Sequence, residues 1–373
     1  MSVVAASWAR VLTAAGHVVT TVAGAGPVDR LVPALAWTPE DSQRPGPHPH
    51  VTPRPDPRQP VDANELADAD QPVDANEPDD ANELADAQQL VDALELVDAL
   101  ERADLVVVEN LCSLPLNPTA TAVVAEVLRG RPALLHHYDL PWQRERFTHV
   151  EGWPPDDPAW AHVTINELSR HELGARGIVA TIIRCGVDIH TAPGDRSTTR
   201  AALGLRAGDR LVLHPVRAIA RKDVPAAVAL AEALGATYWL TGPAEEGYGP
   251  TLAAVLAAAA CPTVHRPAPS IADAYAACDA VLLPSRWEGF GNPIAEAAVH
   301  RRPLAVGRYP AAAELAELGF RWFPPDDAAP LAAFLDAPDE HLHDVNGALV
   351  RTHLSLERVA AELGALLHDR WGL

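Results

Sequence analysis

Short, continuous apolar runs recur along the chain, and between most of them lie longer stretches with apolar residues at helical spacing. The runs are Leu105–Val108, Pro132–Leu135, His162–Ile165 and Ala180–Ile183 in the first half. In the second half they are Arg210–Val216, Tyr238–Gly242, Thr263–His265, Ala280–Leu283 and Pro303–Gly307, with Arg321–Phe323 as a last short one. Unbroken apolarity, without alternation, marks strands covered on both faces, as in parallel sheets. Helices are predicted at Thr119–Arg129, at Asn166–Gly174 with Asn166 as cap, and after Asp223, closing at Gly235. Further helices are expected at Ile271–Ala277, from Asn292-Pro293, from Glu314, and at Leu356–Trp371. At the start, Ser2–Ala15 reads as a helix with Trp8 and Leu12 on one face and Gly16 as its stop, followed by a strand at His17–Val22. Alternating strands and helices in two halves predict an α/β fold of two Rossmann-like domains facing across a cleft.

One region breaks the pattern. Residues 38–60 are rich in Pro, His and Arg and have no period. From Val61 a hexad takes over: VDANEL, ADADQP, VDANEP, DDANEL, ADAQQL, VDALEL, VDALER. Six residues match neither one helix face nor strand alternation. The segment reads as an expanded tandem repeat, disordered in its first half and helical from Leu84 to Arg102, where Leu and Ala thicken and Pro is gone. Asp68-Ala69-Asp70 has the form of a metal-binding DxD, but it lies inside a run of Asp-Ala pairs, and no metal site is assigned. Gly24-Ala25-Gly26 is likewise followed by Pro27 rather than by a helix, so no dinucleotide loop is assigned.

Charge sharpens the picture. The chain carries a net −21 over 373 residues, and residues 61–102 supply −13 of it, with fourteen Asp or Glu and one Arg. That balance argues against nucleic acid or an anionic membrane surface as partner. No apolar run is long enough to span a bilayer, and no basic-then-apolar leader opens the chain, so a cytoplasmic location is expected. Cys112, Cys185, Cys261 and Cys278 lack metal or disulfide spacing and read as small hydrophobes in a reducing compartment. The basic residues are Arg almost throughout; Lys222 is the sole lysine. An ammonium on a slim stem differs from a planar fork, so a lone lysine marks a place where the difference matters.

The candidate chemistry gathers in Asp279–Arg302, DAVLLPSRWEGFGNPIAEAAVHRR. It reads strand, glycine loop, helix. Gly289 and Gly291 flank Phe290 where bare backbone can approach a ligand, and Asn292-Pro293 reads as cap and first helical residue. Unpaired N–H groups and the dipole of that helix end suit an anionic or hydroxyl-rich ligand, and Glu288 and Glu296 can accept hydrogen bonds from vicinal hydroxyls. Arg217 and Lys222 follow the strand at Arg210–Val216, five apart, before another helix.

The Glu288-x7-Glu296 spacing resembles the signature of retaining GT-B glycosyltransferases, the family of glycogen synthase and many bacterial mannosyl- and glucosyltransferases. The resemblance covers nearly the whole chain except residues 38–104, most specifically residues 210–307. It implies that Glu296 holds the nucleotide ribose, that Glu288 contacts the donor sugar, and that Arg217 and Lys222 hold the donor diphosphate without a metal or cofactor. Gly289, Phe290, Gly291 and Asn292 complete the implied donor-binding loop. Glu109 and Asn110 end one first-half strand; His137, Tyr138, Asp139, Trp142 and Arg144 follow another, a polar and aromatic segment expected to form the acceptor-side wall. Relatives often carry His-Asp at this strand end, the His facing the transferred sugar; here Tyr138 takes that place, with His137 one residue earlier. Arg184-Cys185-Gly186-Val187-Asp188 resembles the family's interdomain turn.

The domains implied are 1–190 on the acceptor side with the 38–104 insertion, 191–355 for the donor, and a helix at 356–373 crossing back to the first. The family's first strand and glycine loop are missing before Ser2, which suggests a start codon placed about 15–20 residues late. The expected activity is transfer of a hexose from a nucleotide-diphosphate sugar to a hydroxyl acceptor, which could be a glycan, lipid or small metabolite. The alternatives are a degenerate, non-catalytic sugar-nucleotide-binding relative, favoured by the late start, Tyr138 and the repeat, and a GT-B sugar-nucleotide epimerase. Donor base, sugar, acceptor and oligomeric state are left open by the sequence.

Overall fold

A computed structural model describes residues 3–36, 94–148 and 152–373. Most of the hexad repeat lies outside them; residues 94–100 are helical, with Leu96 and Leu100 buried. The chain divides into two compact units, one of residues 20–162 and one of residues 2–19 with 163–373.

The first unit opens on a small parallel pair, β1 (Val22–Ala23) and β2 (Arg30–Leu31). The strand expected at His17–Val22 shrinks to its last residue. Val18 is 98% exposed, so there is no apolar face to cover a longer strand. Instead Thr21 turns onto Asp29, whose carboxylate accepts from its N–H and hydroxyl, each at 2.7 Å. β3 (Val106–Glu109) and β4 (Ala133–His137) pair in parallel, with Glu109 opposite His136. The helix Pro118–Leu128 between them is capped by Asn117, which accepts from Ala120 N–H at 2.9 Å. Val108, Val123, Val124, Leu128, Leu135 and Trp160 form the core of this unit with Leu96 and Leu100. Two further strands, β5 (Trp160–Thr164) and β6 (Ala180–Ile182), follow in the sheet order β3–β4–β5–β6; β6 itself lies within residues 163–373.

The second unit holds a five-stranded sheet. Its strands are β7 (Arg210–His214), β8 (Ala236–Leu240), β9 (Thr263–His265), β10 (Ala280–Leu283) and β11 (Leu304–Val306). Their order is β11–β10–β7–β8–β9, parallel throughout. Leu211, Val212, Leu213, Val281, Leu282 and Leu283 are fully buried, which is why these runs show no alternation. The order reverses between β7 and β10: the chain builds outward from β7 through β9, then returns to the other side. In open α/β sheets ligands bind outside the carboxyl ends of the strands at such a reversal. The register Val281 opposite Leu213 brings the loops after β7 and β10 out side by side. Phe323 makes only an isolated bridge to Ala305, not a strand. The helix at Val3–Ala14 also belongs to this unit and packs on the helix Leu356–Trp371, with Trp8 buried. None of the described helices is long and apolar enough to cross a membrane.

Three helix starts differ from expectation. The helix Asn292–Val299 is capped by Gly291, not Asn292. Gly291 has φ +96°, and a Cβ there would lie 2.7 Å from the Tyr309 hydroxyl, so only glycine fits without strain. Asp223 does precede the helix Val224–Ala233, but in the left-handed region and without a side-chain cap. Its carboxylate accepts from Arg286 Nε at 2.8 Å instead, tying the β7 and β10 loops together. Glu314 lies inside the helix Pro310–Glu317 and begins nothing; its carboxylate accepts from Glu167 N–H and from Arg184.

Candidate functional site

The sheet reversal places a buried ion cluster in the second unit. After β7 the chain makes a short 3-10 turn, Ala220–Lys222; after β10 it runs through Pro284–Gly291. Arg286 N–H donates to Arg221 O at 2.9 Å, so the loops are joined through their backbones. Gly307, after β11, supports this junction from behind: its N–H donates to Leu283 O at 2.9 Å, and a Cβ there would sit 2.3 Å from Ser285 O. Glu288 is buried between two cations. Lys222 Nζ donates to its Oε1, and Arg221 Nη1 donates to its Oε2 at 3.0 Å and to Trp287 O at 2.8 Å.

The electrostatics follow from this packing. Burial pushes the Glu288 carboxyl up, but Lys222 and Arg221 outweigh it and hold it below the usual glutamate range. Burial lowers the Lys222 ammonium; Glu288 opposes the shift without cancelling it, and Arg221 adds to it. Each group thus favours the ionised form of the other against the burial they share. Arg217 lies nearby but is half exposed and paired with Glu245 at 2.6 Å. The family resemblance pairs Lys222 with Arg217; on the Glu288 carboxylate, the cation beside Lys222 is Arg221.

Glu296 is held separately. Tyr275 hydroxyl donates to its Oε2 at 2.6 Å, and Oε1 has no hydrogen-bond partner among the described residues. Burial raises the Glu296 carboxyl above the usual glutamate range, the Tyr275 hydrogen bond opposing. Phe290 is buried, Asn292 is half-buried, and Gly289 O accepts from Asn166 Nδ2 at 2.6 Å. Tyr309, whose hydroxyl is buried beside Gly291, has its acidity suppressed by burial and by Glu288. Sequence reasoning missed Arg221, Tyr275, Tyr309 and His214. Only Arg221, next to the sole lysine, carried a usable signal.

His214 ends β7 directly beneath the cluster. It is fully buried, its Nδ1 lies 2.7 Å from the Tyr238 hydroxyl, and burial with the Lys222 charge lowers it to about 3. Between that value and 6.5 the unfolded chain binds a proton that the folded one refuses. Stability is therefore expected to fall with acidification below about pH 6.5, by about 1.4 kcal/mol per pH unit at full slope. Urea titrations at pH 7 and 5 check this: His214→Asn, which still accepts from Tyr238, should lose less than the parent. Equal losses would refute the assignment.

In the first unit, Glu109, Asn110 and Tyr138 are brought together. Glu109 Oε2 accepts from Tyr138 hydroxyl and lies 2.9 Å from His136 Nδ1; Asn110 Oδ1 accepts from Tyr138 N–H at 2.8 Å. Asp139 and Arg144 pair with each other at 2.7 Å, and Trp142 lies on the short turn Pro141–Gln143. His137 points to the opposite side of β4 from His136 and is 1% exposed. Its Nδ1 lies 2.7 Å from Ser113 Oγ, its Nε2 2.9 Å from His162 Nδ1, and His162 Nε2 3.1 Å from Asp156. Because Asp156 only accepts, His162 donates to it from Nε2. Burial and the neighbouring imidazoles keep His137 well below its ordinary value, so it is neutral.

Residues 222–344 match the family described as Glycosyl transferases group 1. Mannosylglucosylglycerate synthase of Thermotoga maritima is 24% identical over 268 residues, covering 59% of this chain and 62% of that protein. The enzyme of that name from Petrotoga mobilis is 25% identical over 270 residues, covering 58% and 62%. The chain thus spans less than two thirds of the length of these curated relatives. Among solved structures, Anabaena HepE in complex with UDP and glucose superposes with a TM-score of 0.60 at 21% identity, covering 75% of this chain and 82% of that one. Sucrose-phosphate synthase from Thermosynechococcus elongatus gives 0.60 at 16%, covering 76% and 79%. Two Rossmann-like parallel sheets and these neighbours establish the fold as GT-B, and the group 1 glycosyltransferase match spans both Lys222 and Glu288.

Proposed function

We propose that this chain is a retaining, metal-independent glycosyltransferase that moves a hexose from a nucleotide-diphosphate sugar to a hydroxyl acceptor in the cytoplasm. The observation that carries the reading is Glu288 clasped by Lys222 and Arg221 at the carboxyl ends of β7 and β10. When a sugar leaves a diphosphate, negative charge grows on the phosphate oxygens. Fixed cations at that point stabilise the transition state more than the ground state. Lys222 serves this role with Arg217, whose present partner, Glu245, is half exposed and readily exchanged. Glu288, oriented by both cations, positions the sugar; no protein nucleophile is assigned, and the acceptor attacks the face from which the nucleotide leaves. Glu296 takes the ribose hydroxyls on Oε1. Gly289, Phe290, Gly291 and Asn292 line the donor loop. Glu109, Asn110 and Tyr138 are assigned to the acceptor, with Asp139, Trp142 and Arg144 beside them and His137 supporting from the interior. The donor domain is taken as 191–355.

HepE is described with UDP-glucose, so UDP-sugars are the first donors to test, with GDP- and ADP-sugars beside them. A ligand that binds only the folded state raises the melting temperature by mass action. The sugar nucleotide that does so is then incubated alone. Slow release of free sugar with unchanged anomeric configuration supports a retaining transferase. Binding without turnover supports a degenerate relative, which Tyr138 in place of histidine would favour. A new sugar nucleotide supports an epimerase.

A further inference from the structure

A cavity of the same unit opens at the end of the sheet opposite the Glu288 cluster. It has a volume of about 580 Å³ and is lined where the strands begin: Arg210 opens β7, Asp279 precedes β10 and Pro303 precedes β11. Along β7 it is roughly 13 Å from His214, at about 3.3 Å per residue. Arg196, Arg200, Arg210, Arg301 and Arg302 line it, against Asp209, Asp279 and Glu340. That is five cations to three carboxylates on a chain whose net charge is −21.

The bonding is uneven. Arg196 and Arg200 share Asp279; Arg210 has Asp336; Arg301 has Glu340 and Asp344. Arg302 has no carboxylate among the described residues. It donates from Nε to Tyr275 O at 2.7 Å and from Nη2 to Ala276 O at 3.2 Å, which leaves Nη1. A half-buried guanidinium held only by carbonyls retains its charge for a ligand. Phe334 and Leu335 give the cavity an apolar side, and the volume suits a small metabolite.

We propose that this cavity binds a small phosphate-bearing metabolite on Arg302 and Arg301, and that its occupant adjusts donor affinity through Tyr275. The path is short and made of contacts. His300 lines the cavity and stacks on Tyr275, with ring centroids 5.0 Å apart and planes 14° apart. Arg302 holds the Tyr275 carbonyl, and the Tyr275 hydroxyl holds Glu296. An anion that draws Arg302 or His300 toward the cavity shifts the ring that orients Glu296. The coupling half rests on the donor assignment above; the binding half does not.

Calorimetry of the full chain with inorganic phosphate, at constant ionic strength, tests the site. Saturable binding is expected, weakened about tenfold or more in Arg302→Gln and in the more exposed Arg301→Ser, and retained in Lys222→Met. Circular dichroism confirms that each variant is folded. No saturable binding, binding unchanged in both arginine variants, or binding lost in Lys222→Met, which would place the phosphate in the donor site, overturns the proposal. The second measurement is UDP affinity with and without saturating phosphate. A change is expected, with the reciprocal change in phosphate affinity, and it should vanish in Tyr275→Phe. Independent binding of the two ligands refutes the coupling. Failure of UDP, GDP and ADP alike to bind refutes the donor assignment and with it the coupling, and leaves the phosphate result standing.

Discussion

Lys222→Met is expected to lower turnover by about 10²–10³-fold, the range measured when one preorganised charge-stabilising donor is removed from an active site. The side chain is nearly buried, so its charge acts in a medium of low dielectric, where a misplaced or missing cation is not replaced by water. The same burial gives the substitution a cost in folding. Removing one partner of a buried ion pair costs about 3–5 kcal/mol, because the other charge is stranded. Here the loss should fall below that range, since Arg221 Nη1 keeps its hold on Glu288 Oε2 at 3.0 Å. Lost turnover must therefore be separated from lost structure. The melting temperature of Lys222→Met, measured beside its turnover, makes that separation: a variant still folded at the assay temperature with turnover lowered about 10²–10³-fold places the loss in the chemistry. Arginine at 222 is expected to fail as well: a planar fork is too wide for a pocket already holding Arg221. A Lys222→Met protein with full turnover would remove this cluster from the chemistry.

How much of this was legible beforehand depends on which residue is asked about. Ala280–Leu283 was readable because all four residues are buried on both faces, and burial of that kind leaves an unbroken apolar run. The same reading misled at His17–Val22, where Val18 is apolar and yet almost fully exposed: an apolar run shows capacity for a strand, not the neighbour that would cover it. Glu288 and Lys222 were legible from their places at strand ends and from the solitude of the lysine. Their mutual contact was not, because it depends on β10 pairing with β7 in a register that brings residues 66 apart into a hydrogen bond. Arg217 entered through the family resemblance, whereas Arg221 carried no mark beyond lying next to the sole lysine, because charge alone does not say which side chain a turn directs inward. Tyr275 was invisible for a similar reason: on the helix Ile271–Ala277 it reads as core, and only the fold turns its hydroxyl toward Glu296.

Glu296→Gln should separate binding from stability in opposite directions. Burial raises this carboxyl above its ordinary range in the folded protein. A folded acid with a raised pKa holds its proton more tightly than the unfolded one. Its ionised form therefore costs stability, a cost that begins above the unfolded pKa and is complete above the folded one. At neutral pH Gln removes that cost while its carbonyl oxygen still accepts from Tyr275, so the ligand-free variant should melt higher than the parent. Donor binding should move the other way. A carboxylate accepting from ribose hydroxyls contributes about 1.5–3 kcal/mol, so affinity for the nucleotide sugar should drop about 10- to 100-fold. The pH dependence carries the same signature: parent affinity should fall on acidification through a pKa above the usual glutamate range, and the Gln variant should be flat there. Tyr275→Phe is the contrast, because it removes the donor that supports the carboxylate and should lower both melting temperature and affinity. A carboxyl whose ionisation the fold opposes and a hydroxyl-bearing ligand would favour is what a binding site predicts and a helix-surface glutamate does not. A Gln variant that melts lower, with donor affinity intact, would return Glu296 to an ordinary structural role.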